Sequence, residues 1–231
     1  MFQEPAETIL TQTDTPDTAL HTVPRKMKLF YSKREDARFF GHLELVNIIN
    51  RALRRAGVDL VYSNGFHPMP KISFADPLPM GMEGFEEVLF ISVKNDISCD
   101  ELVRKANREL PEGVCVKRCE VITSKQQIQG SKVDHYTVTL KEGVFDPQRL
   151  DWFSETEQIE YTFTNKKGVP GSINLKTSIL SIDLILPNSI QLIIENHGGK
   201  RIRPAMVLEK VFALPMDDIK QASILKGGIH V

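Results

Sequence analysis

The sequence predicts an α+β fold, two tandem βαββαβ units behind a flexible N-terminal tail. Three observations carry that prediction. An amphipathic helix pattern lies between strand-like runs in the first half. Two further strands, a second helix and a last strand complete that half. A looser copy of the same order recurs after a polar linker. The order β-α-β-β-α-β is the split βαβ, or ferredoxin-like, arrangement. The expected divisions are a flexible tail over 1–26, a first unit over 27–123 and a second unit with an extra strand over 132–231.

Each element has its own local reason. The tail, rich in Thr, Pro, Asp and Glu (TQTDTPDTALHTVP), has no sustained periodicity and too little apolar surface to order itself. A start near Met27 is the alternative reading. Met27 to Lys33 reads as a strand. Leu45, Val46, Ile49, Ala52, Leu53 and Ala56 then form one apolar stripe of helical period, which predicts a helix from Gly41 to Ala56. Gly57 follows where a left-handed cap is expected. Leu60 to Tyr62 starts a strand that a Pro-rich loop interrupts, with Lys71 to Phe74 continuing it. Glu87 to Lys94 is a strand of β-branched and aromatic character. Ser98 caps a helix from Cys99 to Leu110, with Glu101 placed for a capping box. Gly113 to Ile122 is the fourth strand.

After the linker Thr123 to Ser131, Asp134 to Lys141 alternates cleanly at Tyr136, Val138 and Leu140. Asp146-Pro147 opens a short helix to Ser154, since proline is tolerated in a first helical turn. Gln158 to Asn165 is a strand that turns at Lys166-Lys167-Gly168. Ile179 to Leu186 and Ser189 to Glu195 pair as a hairpin across Pro187-Asn188. Arg203 to Ala213 reads as a helix, and Ser223 to Val231 as the last strand.

Composition bounds the function without naming it. The chain has 231 residues, is 41% hydrophobic and 26% charged, and carries a net charge of −1. Those values suit a globular protein with a real core and argue against a wholly basic nucleic-acid coat. No apolar run approaches the ~20 residues needed to span a bilayer, and Met1 to Arg25 lacks the apolar core of a secretory signal. Cys99, Cys115 and Cys119 do not make a disulfide framework or a metal knuckle, so they read as reduced thiols in a cytoplasmic protein. No metal, cofactor or catalytic residue is assigned.

The polar residues concentrate between Arg38 and Gly84. The outer face of the first helix carries Arg51, Arg54 and Arg55, and Arg38, His42, His67 and Lys71 extend the same sign. Five Lys/Arg against two acids lie between Arg38 and Lys71. The segment Tyr62-Ser63-Asn64-Gly65-Phe66-His67-Pro68 is a turn that can present Ser63, His67 and Lys71 with little freedom left, with Tyr62 placed to stack or hydrogen-bond. These residues are candidates for contact with an anion or a partner; a solvated helix face and structural histidines are the bland alternatives. A second constellation, Gly198-Gly199-Lys200-Arg201-Ile202-Arg203-Pro204, places Lys200, Arg201 and Arg203 at a helix start that would suit an anion. Its alternative is a surface turn.

The runs Arg38-x3-His42-Leu43, Arg51-Ala52-Leu53-Arg54-Arg55-Ala56, Tyr62-Ser63-x-Gly65-Phe66-His67-Pro68-x-Pro70 and Ser73-Phe74-Ala75-x-Pro77-Leu78-Pro79-x-Gly81 resemble the radical-SAM-linked domain family of bacteria. Members of that family stand alone or are fused behind a radical SAM enzyme that often carries a cobalamin-binding domain. The resemblance implies an accessory role beside such an enzyme. This chain lacks a Cys-x3-Cys-x2-Cys motif, so it resembles the partner half. A looser similarity, resting on element order, links it to tandem ferredoxin-like RNA-binding proteins of CRISPR systems.

Three functional expectations follow. The first is an accessory or substrate-presenting protein without catalysis of its own, working with a radical SAM protein and binding RNA or another anionic macromolecule through the basic helix and His-Pro loop. The second is an independent RNA-binding or RNA-processing protein using His42 or His67 as general acid/base. The third is a protein-interaction scaffold.

Overall fold

The computed structural model describes residues 23–94, 96–122, 132–164, 168–196 and 201–227. Most of the tail, the linker, the Lys166-Lys167 turn, Lys200 and the end of the last expected strand lie outside the described residues.

The first half builds β1 (Arg25–Lys33), α1 (His42–Arg55), β2 (Ile72–Phe74), β3 (Met82–Val93), α2 (Cys99–Glu109) and β4 (Val114–Ile122). Helix α1 follows its apolar stripe: Leu45, Ile49, Ala52 and Leu53 are buried, and Gly57 supplies the positive-φ cap. At the start of α2 the Ser98 hydroxyl accepts the Glu101 N–H at 3.2 Å, the cap the sequence predicts. Both helices close over one sheet face in a core that includes Leu29, Leu53, Leu89, Ile91 and Leu102. Each such fully buried aliphatic side chain stabilises the fold by roughly 1.5–3 kcal/mol.

The second half builds β5 (Lys132–Thr139), α3 (Gln148–Glu155), β6 (Glu160–Thr164), β7 (Pro170–Asn174), β8 (Ile179–Leu186), β9 (Ser189–Asn196), α4 (Pro204–Lys210), α5 (Met216–Gln221) and β10 (Ser223–Lys226). A separate core around Val138, Leu175, Leu192, Val207 and Val211 holds it. The one extra strand expected is instead a hairpin, β6 with β7, off the main sheet. Expected as one helix, Arg203 to Ala213 is shorter, and α5 follows it.

The main sheet runs β4-β1-β3-β10-β5-β9-β8, with β2 paired beside β3. Within the first half the order is β4-β1-β3-β2, all antiparallel. The second half repeats it as β10-β5-β9-β8, again all antiparallel. The two sets join where β10 pairs parallel with β3, Ile224 opposite Met82 and Lys226 opposite Gly84. The molecule is therefore an α+β protein with one large mixed sheet. Among the described residues, no helix is long and apolar enough to cross a membrane.

Candidate functional site

The stretch from Arg38 to Gly84 is held from inside by a lysine the sequence did not single out. Lys33, fully buried at the end of β1, donates from Nζ to the carbonyls of Arg38 (3.1 Å), Phe40 (3.3 Å) and Pro79 (3.3 Å). Burial lowers its pKa, and the Glu87 carboxylate opposes that shift. The Gly81 N–H closes the same junction on the Arg38 carbonyl at 2.8 Å. With these polar groups turned inward, the apolar side chains face out. Leu43 is 77% exposed and Met80 66%, and Phe39, Phe66 and Met69 are exposed as well. Gly41 brings the first group together, since a Cβ there would sit 3.6 Å from Met80 Cε.

The predicted site residues occupy several places. His42 packs its ring edge-on against Phe74, centroids 5.2 Å apart. Ser63 serves the turn: its N–H donates to the Met69 carbonyl and its Oγ accepts the Met69 N–H at 3.0 Å. Tyr62 bridges to Pro70 across that turn, which leaves Phe66 and His67 exposed at its tip. Exposed Lys71 donates its backbone N–H to the Val61 carbonyl. The Arg38 guanidinium stacks on Phe39 at 4.7 Å and lies 3.6 Å from Glu83.

On α1, Arg55 is engaged: Nε donates to Glu109 Oε2 at 2.8 Å and Nη2 to the Glu109 carbonyl at 2.6 Å, clamping α1 to the end of α2. Arg51 and Arg54 are exposed and make no ion pair with a described residue. A shallow groove of about 370 Å³ runs beside Arg51 and Arg55, lined by Phe40, Ile48, Leu110 and Pro111. Arg201 and Arg203 lie elsewhere, at the joint between the halves, where Arg201 pairs with Asp76.

That joint contains the strongest electrostatic feature of the described residues. Lys226 on β10 is buried, with Nζ 2.9 Å from Asp76, 3.2 Å from Glu87 and 3.6 Å from Asp134. The three carboxylates come from the loop after β2, from β3 and from β5, and all are buried. Burial alone would lower the Lys226 pKa, but Glu87 and Asp134 more than offset it and the net shift is upward. Lys226 therefore stays an ammonium, suited to neutralising acids and unsuited to acting as a base. Gly84 makes room for the arrangement: a Cβ there would stand 2.8 Å from Glu87 Cγ. A cavity of about 50 Å³ adjoins the cluster, bordered by Asn196, Tyr136 and Arg203. That space suits a few waters. Among the described residues no group of His, Cys, Asp and Glu is arranged to hold a metal ion.

Sequence reasoning missed Asp76, Glu87, Asp134 and Lys226. One signal existed: the alternation Tyr136, Val138, Leu140 extends back to Asp134, and Ile224 shares its face with Lys226, so both charges fall on apolar faces.

An α+β protein with two cores joined across a buried ion cluster is the class these features define. The chain belongs to the bacterial family described as "uncharacterized protein conserved in bacteria (DUF2344)", whose model matches residues 26–204. None of the curated proteins matches the chain.

Proposed function

We propose that this chain is an accessory protein that docks on a radical SAM enzyme and presents an anionic macromolecule, RNA above all, to it. The observation that carries the reading is the outward apolar face of the motif stretch, Phe39, Leu43 and Met80 beside Arg38. Aromatic residues, Met and Arg are the types enriched at protein interfaces. The Lys33 ammonium and the Arg38, Phe40 and Pro79 carbonyls are spent on internal scaffolding beneath that face. Arg51 and Arg54, exposed and free of ion pairs to described residues, are the cations of α1 available to meet phosphate. The repeated strand order supports reading the two halves as a duplicated ferredoxin-like unit, with β6 and β7 inserted in the second.

The RNA-processing alternative has less support, because His42 packs on Phe74 and His67 projects from an exposed turn. The test is affinity purification of the chain from its host, with and without ribonuclease. The expected result is a protein bearing a Cys-x3-Cys-x2-Cys motif retained after ribonuclease, and lost with Leu43→Asp plus Met80→Asp. Arg51→Glu plus Arg54→Glu should weaken RNA recovery and flatten its salt dependence. RNA recovered with no such partner would overturn the accessory role.

A further inference from the structure

Among the described residues, the main sheet ends on one side at β4 and on the other at β8. The two edges differ in kind. β4 is blunted by the exposed charges Lys117, Arg118 and Glu120. β8 reads ILSIDLIL, with Asp183 its single charge and Leu180, Leu184, Ile185 and Leu186 exposed. An exposed apolar edge strand is a template for another strand, and natural proteins usually blunt such edges with charge.

We infer that β8 is the interface of a homodimer, pairing antiparallel with β8 of a second copy about a two-fold axis through Ile182. The sequence of the strand is what selects a second copy. Read outward from Ile182 in both directions, the side-chain types repeat: Ser181 and Asp183, Leu180 and Leu184, Ile179 and Ile185. Antiparallel pairing about that residue sets Ile182 against its own copy and Leu184 of each copy towards Leu180 of the other. It also sets Ser181 of each copy against Asp183 of the other.

A second, independent observation fits that register. The Ser181 hydroxyl is buried and has no hydrogen-bond partner, a condition that costs about 1–3 kcal/mol. Directly opposed residues of an antiparallel pair share a sheet face. The Ser181 hydroxyl of one copy can therefore donate to the Asp183 carboxylate of the other. Moving the axis to Asp183 would oppose two carboxylates, which is destabilising. Irregularities at Leu180 and Ile185 confine the regular ladder with β9 to Ser181–Leu184. The interface is correspondingly short, and the dimer dissociates on dilution.

The test combines sedimentation velocity across a dilution series with site-specific cross-linking of the full chain. A reversible monomer–dimer equilibrium is expected. The opposed residues at position 182 would lie at a Cα separation compatible with a disulfide. Ile182→Cys should then cross-link under diamide, with the bond mapped by peptide mass to residue 182 in both copies. The wild-type chain, with its own cysteines, is the control. Leu180→Lys, at an exposed position, should shift the chain to monomer with an unchanged circular dichroism spectrum, and Ser181→Ala should weaken the dimer at least several-fold. A chain that stays monomeric at its highest soluble concentration would overturn the inference. So would a dimer indifferent to Leu180→Lys, or open-ended association.

Discussion

At the scale of single residues, Lys226 is the side chain on which most depends. Removing its ammonium would take the buried cation away from Asp76, Glu87 and Asp134, while Arg201 stays paired with Asp76. Breaking a buried pair from one side costs about 3–5 kcal/mol, because the remaining charge is uncompensated. Lys226→Met should lower stability by that order in urea unfolding. The pH dependence has a definite sign. The folded pKa of Lys226 is raised above the ordinary lysine value of 10.5, so its contribution is complete below that pH. That contribution should vanish only as pH rises through the higher folded value, and it should be constant across the neutral range. Cys119 gives a second test. Its Sγ lies 3.1 Å from that of Cys99, and burial, followed by the Cys99 contact, pushes its pKa up. Since the thiolate is the nucleophile, iodoacetamide at mildly alkaline pH should alkylate Cys119 more slowly than a free thiol, and unfolding should remove the difference.

At the scale of elements, β3 is the strand that both halves share, and Gly84 is its tightest point. An added Cβ would meet Leu78 Cδ1 at 2.5 Å and Glu87 Cγ at 2.8 Å. Gly84→Ala should lower stability by roughly 1–3 kcal/mol through overpacking. Leu78→Ala deletes the nearest clashing atom but is itself a core loss, Leu78 being buried, so in thermal melts the double variant should lose less than the sum of the separate effects. Elements of this kind were unequally legible in sequence. Helix α1 was plain because its stripe has one period, and the bounds of β8 matched because the hairpin turn at Pro187-Asn188 fixes them. β7, Pro170–Asn174, was hidden because Pro and Gly in a short run read as a turn. The cations of α1 were legible as a face, yet the clamp of Arg55 on Glu109 was not, because its partner lies on another helix. The ion cluster was the least legible part. Lys226 and Asp76 are separated by 150 positions, and no local pattern pairs residues so far apart.

At the scale of the whole molecule, the question is whether two cores joined by one short parallel pairing unfold together. The first core and the second are distinct sets of side chains. What links them is β10, only four residues long, and the ion cluster that Lys226 completes between β3 and β5. Two side chains of the first half, Leu78 and Met82, also pack in the second core, so the coupling is shared between that joint and this apolar contact. The chain offers a built-in probe, because its single tryptophan, Trp152, sits on α3 in the second half. Far-ultraviolet circular dichroism reports both halves. In the wild-type chain the two signals should share one urea midpoint, the ordinary mark of two-state unfolding. In Lys226→Met the cluster loses its buried ammonium, and the halves lose a polar part of their coupling. Tryptophan fluorescence should then separate from circular dichroism, giving two midpoints where the parent has one. If both signals shift together by the same amount, the coupling lies in the pairing of β10 with β3 and the packing of Leu78 and Met82, and not in the charge cluster.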